Sequence, residues 1–118
     1  MTDIERIYDE LQALGITANF KGRKQAALAI QLALQDESRL EHVTKDIYWE
    51  VADIIGCKRM DIERNLRTIS HRAWKVSRSY LRQIALYDLS APPSASEFIA
   101  ILTFHIRRST SVSTPPTV

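Results

Sequence analysis

The amino-acid sequence predicts an all-α domain, a compact bundle of about six helices that contains a helix-turn-helix. Three observations lead there. Apolar residues recur at spacings of three and four along most of the chain, which is the signature of helices with one buried face. A Thr or Ser stands three residues before a Glu at the head of two such runs, and a glycine closes the first of these and one other. Only three glycines and four prolines interrupt 118 residues. A chain of this length buries roughly two thirds of its unfolded surface, which suits a single core. Residues 1–108 are therefore read as one domain, with 109–118 as a disordered Ser/Thr/Pro tail.

Thr2 and Glu5 have capping-box spacing and open a first helix whose stripe of Ile4, Ile7, Leu11 and Leu14 ends at Gly15. Beyond a loop, Gly22 leads into Ala26 to Leu34, which is apolar on nearly every side and is the candidate central helix. Asp36-Glu37-Ser38 ends it. Thr44 is the expected N-cap of a third helix reaching about Ile55, with Ile47, Val51, Ile54 and Ile55 inward. Gly56 stops that helix, and a short turn through Cys57 and Lys58 begins a long amphipathic one at about Arg59. A break is expected near Ser77 and Ser79. Ala91-Pro92-Pro93 marks a loop, and Ser94 with Glu97 caps a last core helix that ends with Arg107 and Arg108 complementing its dipole.

The composition, 45% apolar and 25% charged, is that of a soluble globular protein. No apolar run approaches membrane-spanning length, and the acidic start lacks the features of a signal peptide, so a cytoplasmic location without membrane contact is expected. Cys57, the single cysteine, has no partner for a disulfide or a metal site. His42, His71 and His105 are scattered, and no phosphate-binding loop or nucleophile motif accompanies them. Neither an enzyme nor a cofactor or metal requirement is expected.

Charge is distributed unevenly. Residues 1–56 carry six Lys/Arg and ten Asp/Glu, a net of −4, whereas residues 57–82 carry eight against two, a net of +6. Clustered cations within an otherwise acidic or neutral domain are the footprint of a polyanion contact. On a period of 3.6 residues, Ile62, Leu66, Ile69, Ala73 and Val76 share one stripe, while Arg64, Arg67, His71, Lys75 and Arg78 share a solvent-facing one. No acid lies on that second stripe from Arg64 to Arg78. A helix with one apolar and one basic face, set behind a glycine turn, suits the major groove of double-stranded DNA, where Arg pairs with guanine and other cations meet phosphates. Glu63, at the side of the helix, either reads a cytosine amino group or orients Arg67 four residues on. Asp61 is assigned to the helix dipole.

The strings Gly15 to Gly22, Val43 to Tyr48, Ile62 to Arg67, Ala73-Trp74 and Ser96 to Ala100 resemble, in order, the C-terminal effector domain of the stage 0 sporulation protein A family. The resemblance implies a bundle of about six helices that binds DNA boxes as tandem copies and touches the sigma factor of RNA polymerase. It places Glu63, Arg64 and Arg67 at base-reading and backbone-contacting positions. The candidate DNA-binding set is Lys45, Lys58, Arg59, Glu63, Arg64, Arg67, Thr68, His71 and Lys75.

Three departures from the family pattern stand out: Asp61 replaces an arginine, Thr68 replaces a histidine, and the stretch from Trp74 to Ser94 is shortened. The receiver domain that precedes the family's effector domain is missing from these residues, and the capped start at Thr2 favours a stand-alone relative. The expected function is sequence-specific transcription regulation, with the helix at about 59–76 in the major groove. The alternative is a protein-interaction module that modulates a full-length relative or polymerase.

Overall fold

A computed structural model describes residues 2–112, with side chains described to Ser109. Among them the regular structure is entirely helical. α1 spans Asp3–Ala13, α2 Arg23–Gln35, α3 Trp49–Ile55, α4 Arg59–Ala85 and α5 Ala95–Val112. Between α2 and α3 lie a 3₁₀ helix, Glu37–His42, and a π-helical turn, Thr44–Tyr48. Ser77, at φ −137° and ψ 38°, divides α4 into two halves. The break expected near Ser77 is thus one non-helical residue, after which the helix resumes.

The predicted caps form. At α1 the Glu5 amide donates to Thr2 Oγ1 (3.3 Å) and the Thr2 amide to the Glu5 carboxylate (3.2 Å). At α5 the Glu97 amide donates to Ser94 Oγ (3.1 Å) and the Ser94 amide to Glu97 Oε1 (3.1 Å). Each box satisfies amides that a helix start leaves without intrahelical partners.

α2 is the central helix, with Ala26, Ala27, Ala29, Ile30, Leu32 and Ala33 buried. Every other helical segment touches it. Ile7, Leu11 and Leu14 from α1 and its end join Ile62, Leu66, Ile69 and Ala73 of α4 and Phe98, Ile99, Leu102 and Ile106 of α5 in one continuous core.

Several expectations are corrected. Thr44 makes no capping hydrogen bond; it lies within helical backbone that runs from the 3₁₀ helix into α3. Ile54 is 54% exposed, because Tyr48, Val51, Ala52 and Ile55 form the packed side and Ile54 falls about a quarter turn away. Val76 is 46% exposed. It precedes the kink and lies over Gly15, where a Cβ would come within 2.6 Å of its Cγ2, so it covers the end of α1 instead of entering the core.

α5 continues to Val112, past the Arg108 boundary expected for the last helix. Arg107 and Arg108 consequently serve other helices. Arg107 donates to the Leu34 carbonyl (2.8 Å) near the end of α2, and Arg108 to the Ile84 carbonyl (2.8 Å) near the end of α4. Both satisfy carbonyls in a last helical turn, where cations are favoured. Residues 113–118 of the expected tail lie outside the described residues.

The second half of α4 is fixed to the following loop by polar contacts. Arg82 donates to the Leu89 carbonyl (2.9 Å) and to Asp88 (3.0 Å). Ser70, fully buried on α4, donates to the Pro93 carbonyl at 2.6 Å and sets where the chain turns into α5. Replacing Ser70→Ala leaves that carbonyl without its donor, at a cost of about 1–3 kcal/mol. Urea unfolding should show a lower midpoint with an unchanged slope.

Candidate nucleic-acid interface

Gly56 closes α3 in the left-handed conformation, at φ 83° and ψ 42°. The amides of Gly56 and Cys57 both donate to the Ala52 carbonyl, at 2.8 and 3.1 Å, so the turn satisfies its own backbone. A Cβ at Gly56 would meet nothing within 4 Å, which makes the backbone angle the reason for glycine here. Lys58 then returns to extended geometry and α4 begins. α3 and the π-helical turn both pack on α4, completing the helix-turn-helix.

Ile62, Leu66, Ile69, Ser70, Ala73 and Trp74 form the buried side of the first half of α4. Arg64, Thr68, His71 and Lys75 lie on the opposite side, with Met60 and Arg67 on one flank and Asp61 and Arg72 on the other. Arg64, Arg67, Thr68, His71 and Lys75 are all exposed, and Thr68 Oγ1 donates back to the Arg64 carbonyl (3.1 Å).

The two leading arginines have acidic neighbours on the flanks of the helix, although no acid lies on the stripe itself. Arg67 pairs with Glu63 at 3.3 Å and Arg64 approaches Asp61 at 3.6 Å. The acids sit one turn earlier on the same helix, at spacings of four and three, and these long side chains bridge that distance. Of the two roles offered for Glu63, orientation of Arg67 is the one made in the free protein. Such exposed pairs hold an arginine loosely, since they contribute little against solvent screening.

The remaining candidates surround this head of the helix. Lys58 is the N-cap residue and is exposed, without a side-chain capping bond. The Arg59 guanidinium stacks over the Trp49 ring at 3.9 Å, joining α4 to α3. Lys45 is exposed in the π-helical turn, where it lines a small polar depression with Arg39, Asp46 and Glu50. It is set apart from the stripe on α4 by its own acidic surroundings. Arg–aromatic stacking was not anticipated from the sequence and recurs beyond the kink, where Arg78 lies 4.3 Å from the Trp74 ring.

The chain matches the family model described as sporulation initiation factor Spo0A C terminal over residues 7–106. The match takes in all of α2 to α4 and most of α1 and α5. The chain belongs to the Spo0A C-terminal family. It is accordingly a DNA-binding sporulation effector domain of the response-regulator type, and the family's domain acts by binding DNA, not by catalysis. Among the described residues no helix is long and apolar enough to cross a membrane. No group of three or more His, Cys, Asp or Glu side chains among them is arranged to hold a metal ion.

In this Spo0A-type domain, Glu63 also lines a groove of about 560 Å³ with Tyr48, Val43 and Leu40, facing the start of α5. Burial pushes the Tyr48 phenol up to about 12, helped by the Glu63 carboxylate. The raised value means that the folded state holds this proton after the unfolded chain has released it near pH 10. The associated stability is complete below about pH 10 and is lost as pH rises through about 12. Burial and the Glu10 carboxylate raise the Tyr80 phenol still further, so ultraviolet titration should show two strongly delayed phenols, of which Glu63→Gln should move only that of Tyr48 downward.

Proposed function

We propose that this domain is a sequence-specific regulator of transcription that places the first half of α4 in the major groove of double-stranded DNA. The observation that carries the reading is the face of α4 centred on Arg64, Thr68, His71 and Lys75, presented beyond a self-satisfied glycine turn. An α-helix fills the major groove, and an arginine there donates two hydrogen bonds to guanine.

On this reading Arg64 and Arg67 contact bases, and Glu63 aims Arg67 until a base or phosphate takes over. Thr68 and His71 lie deeper along the face. Lys58, Arg59 and Lys75 meet phosphates, and Lys45 supplies a peripheral phosphate contact. Asp61 and Glu63 favour specificity over affinity: on a non-cognate site each arginine keeps its intramolecular partner, and only a matching base repays its release. Binding as tandem copies and a contact with the polymerase sigma factor belong to the same proposal, because they accompany the family resemblance.

The direct test is selection of bound sequences from a random duplex pool, followed by affinity measurements on the recovered site. Arg64→Ala and Arg67→Ala should each cost about 1–3 kcal/mol and relax the preference at particular base positions. Wild-type affinity should fall steeply with salt. Duplex binding that both variants retain in full would remove α4 as the reading element. The same paired acids suit a second reading, a protein-interaction module that modulates a full-length relative or polymerase. It takes over if the selection enriches no motif while the domain binds purified polymerase.

A further inference from the structure

The loop between α1 and α2 is built against the recognition face, although it is remote from it in sequence. Three contacts fasten it and the first turn of α2 to the same flank of α4. Gly22 approaches α4 so closely that a Cβ there would lie 2.9 Å from Asn65 Cβ and 3.3 Å from Ile69 Cδ1. Asn65 Nδ2 donates to Gln25 Oε1 at 2.9 Å. The Arg72 guanidinium covers the Phe20 ring at 5.7 Å. Inside the loop, the Phe20 amide donates to the Thr17 carbonyl (2.9 Å) and the Arg23 amide to the Phe20 carbonyl (3.2 Å), so the segment is a pair of tight turns held in place.

This flank is specific. On a 3.6-residue period, Arg72 and Asn65 lie about 70° and 90° around α4 from the centre of the Arg64–Thr68–His71–Lys75 face. Glu63, which borders the groove shared with the π-helical turn, lies about 110° away in the opposite sense. The helix-turn-helix partner and the α1–α2 loop therefore bracket the recognition helix from two sides. The major groove is about 12 Å wide, close to the diameter of a helix with its side chains, so elements beside a groove-bound helix meet the phosphates along the groove walls.

The loop and the first turn of α2 offer cations. Lys21 and Lys24 are exposed, and so is Arg72, which covers the ring of Phe20, the residue before Lys21. Arg23 is diverted inward over the Tyr8 ring at 4.2 Å. The first turn of α2 contains no acid, so nothing nearby on that helix neutralises the two lysines.

We propose that Lys21, Lys24 and Arg72 form a second phosphate-contacting rail, which grips the backbone of the same duplex on the flank opposite the π-helical turn. The rail rests on the reading of α4 as the recognition helix. It adds affinity without sequence preference, because phosphates carry no base identity. Arg72 also covers Phe20, so the two exposed lysines make the cleaner variants.

The full-length chain, the duplex recovered by selection and a scrambled duplex of equal length provide the test. Lys21→Ala/Lys24→Ala should bind both duplexes on the order of tenfold more weakly at moderate salt. Their affinity ratio should be unchanged, and the slope of log affinity against log salt should be shallower by about 2. Lys21→Gln and Lys24→Gln singly should each give about half that change in slope, and Lys21→Arg/Lys24→Arg should restore it. Thermal unfolding of each variant should match wild type. Unchanged affinity and slope in the lysine variants, alongside lost discrimination in Arg64→Ala, would overturn the rail and leave the proposed function standing. A wild-type chain that binds neither duplex would overturn both.

Discussion

Burial of α2 is the constraint on which the other elements depend. Its packed positions are mainly alanine, with Ile30 and Leu32 as the larger members, so neighbouring helices approach its backbone closely. α1, α4 and α5 each surrender one apolar face to this axis or to one another. Once α4 has committed Ile62, Leu66, Ile69 and Ala73 inward, its polar side has only solvent or a partner to face. The orientation of the proposed recognition surface is thus fixed by the core. The same packing brings the α1–α2 loop alongside α4, because that loop begins where α1 ends over Val76 and finishes where Gly22 meets Asn65.

Much of this was legible in the residues. Both capping boxes, the Gly15 and Gly56 stops, the central helix and the buried stripe from Ile62 to Ala73 follow from local patterns, each of which depends on residues within a few positions of one another. What escaped depends on contacts between distant segments. The π-helical turn removes Thr44 from its expected capping role, and Ile54 looks buried only if the packed side is centred on Ile47. Val76 fits the stripe of a straight helix, but the kink at Ser77 and the surface of Gly15 claim it. Arg107 and Arg108 were assigned to the end of their own helix, whereas α5 continues and the two guanidinium groups reach carbonyls of α2 and α4. Long cationic side chains choose acceptors across space, a choice that sequence spacing does not record.

The candidate site was legible in outline for the same reason. The helical period separates an apolar from a basic side of α4, and the family resemblance drew attention to Glu63, Arg64 and Arg67. The pairing of Arg67 with Glu63 follows from their spacing of four residues, whereas that of Arg64 with Asp61 escaped, because Asp61 was assigned to the helix dipole and falls off the exposed stripe when the helix is drawn as a wheel. Side chains of this length reach from the flank to the face, so the wheel understates which charges meet. The position of the loop was invisible, since Phe20 and Arg72 are far apart in the chain and only tertiary packing makes them neighbours.

The excess of cations in residues 57–82 also divides into groups with different physical roles. Arg59, Arg72, Arg78 and Arg82 lie against aromatic rings, Arg64 and Arg67 lean on acids, and Lys58 and Lys75 extend into solvent. Stacking on a ring leaves the charge and the outward N–H groups of a guanidinium intact while restricting its rotamers. Less conformational freedom then remains to be lost when a phosphate arrives. A lysine in the same place would carry equal charge on an unconstrained stem. Arg59 over Trp49 and Arg72 over Phe20 accordingly join α4 to neighbouring segments, whereas Arg78 and Arg82 stack on Trp74 of α4 itself; on the proposed reading all four guanidinium groups remain available to a polyanion. On the proposed reading one set of residues serves both stability and recognition, and the net charge of the segment alone does not distinguish the two.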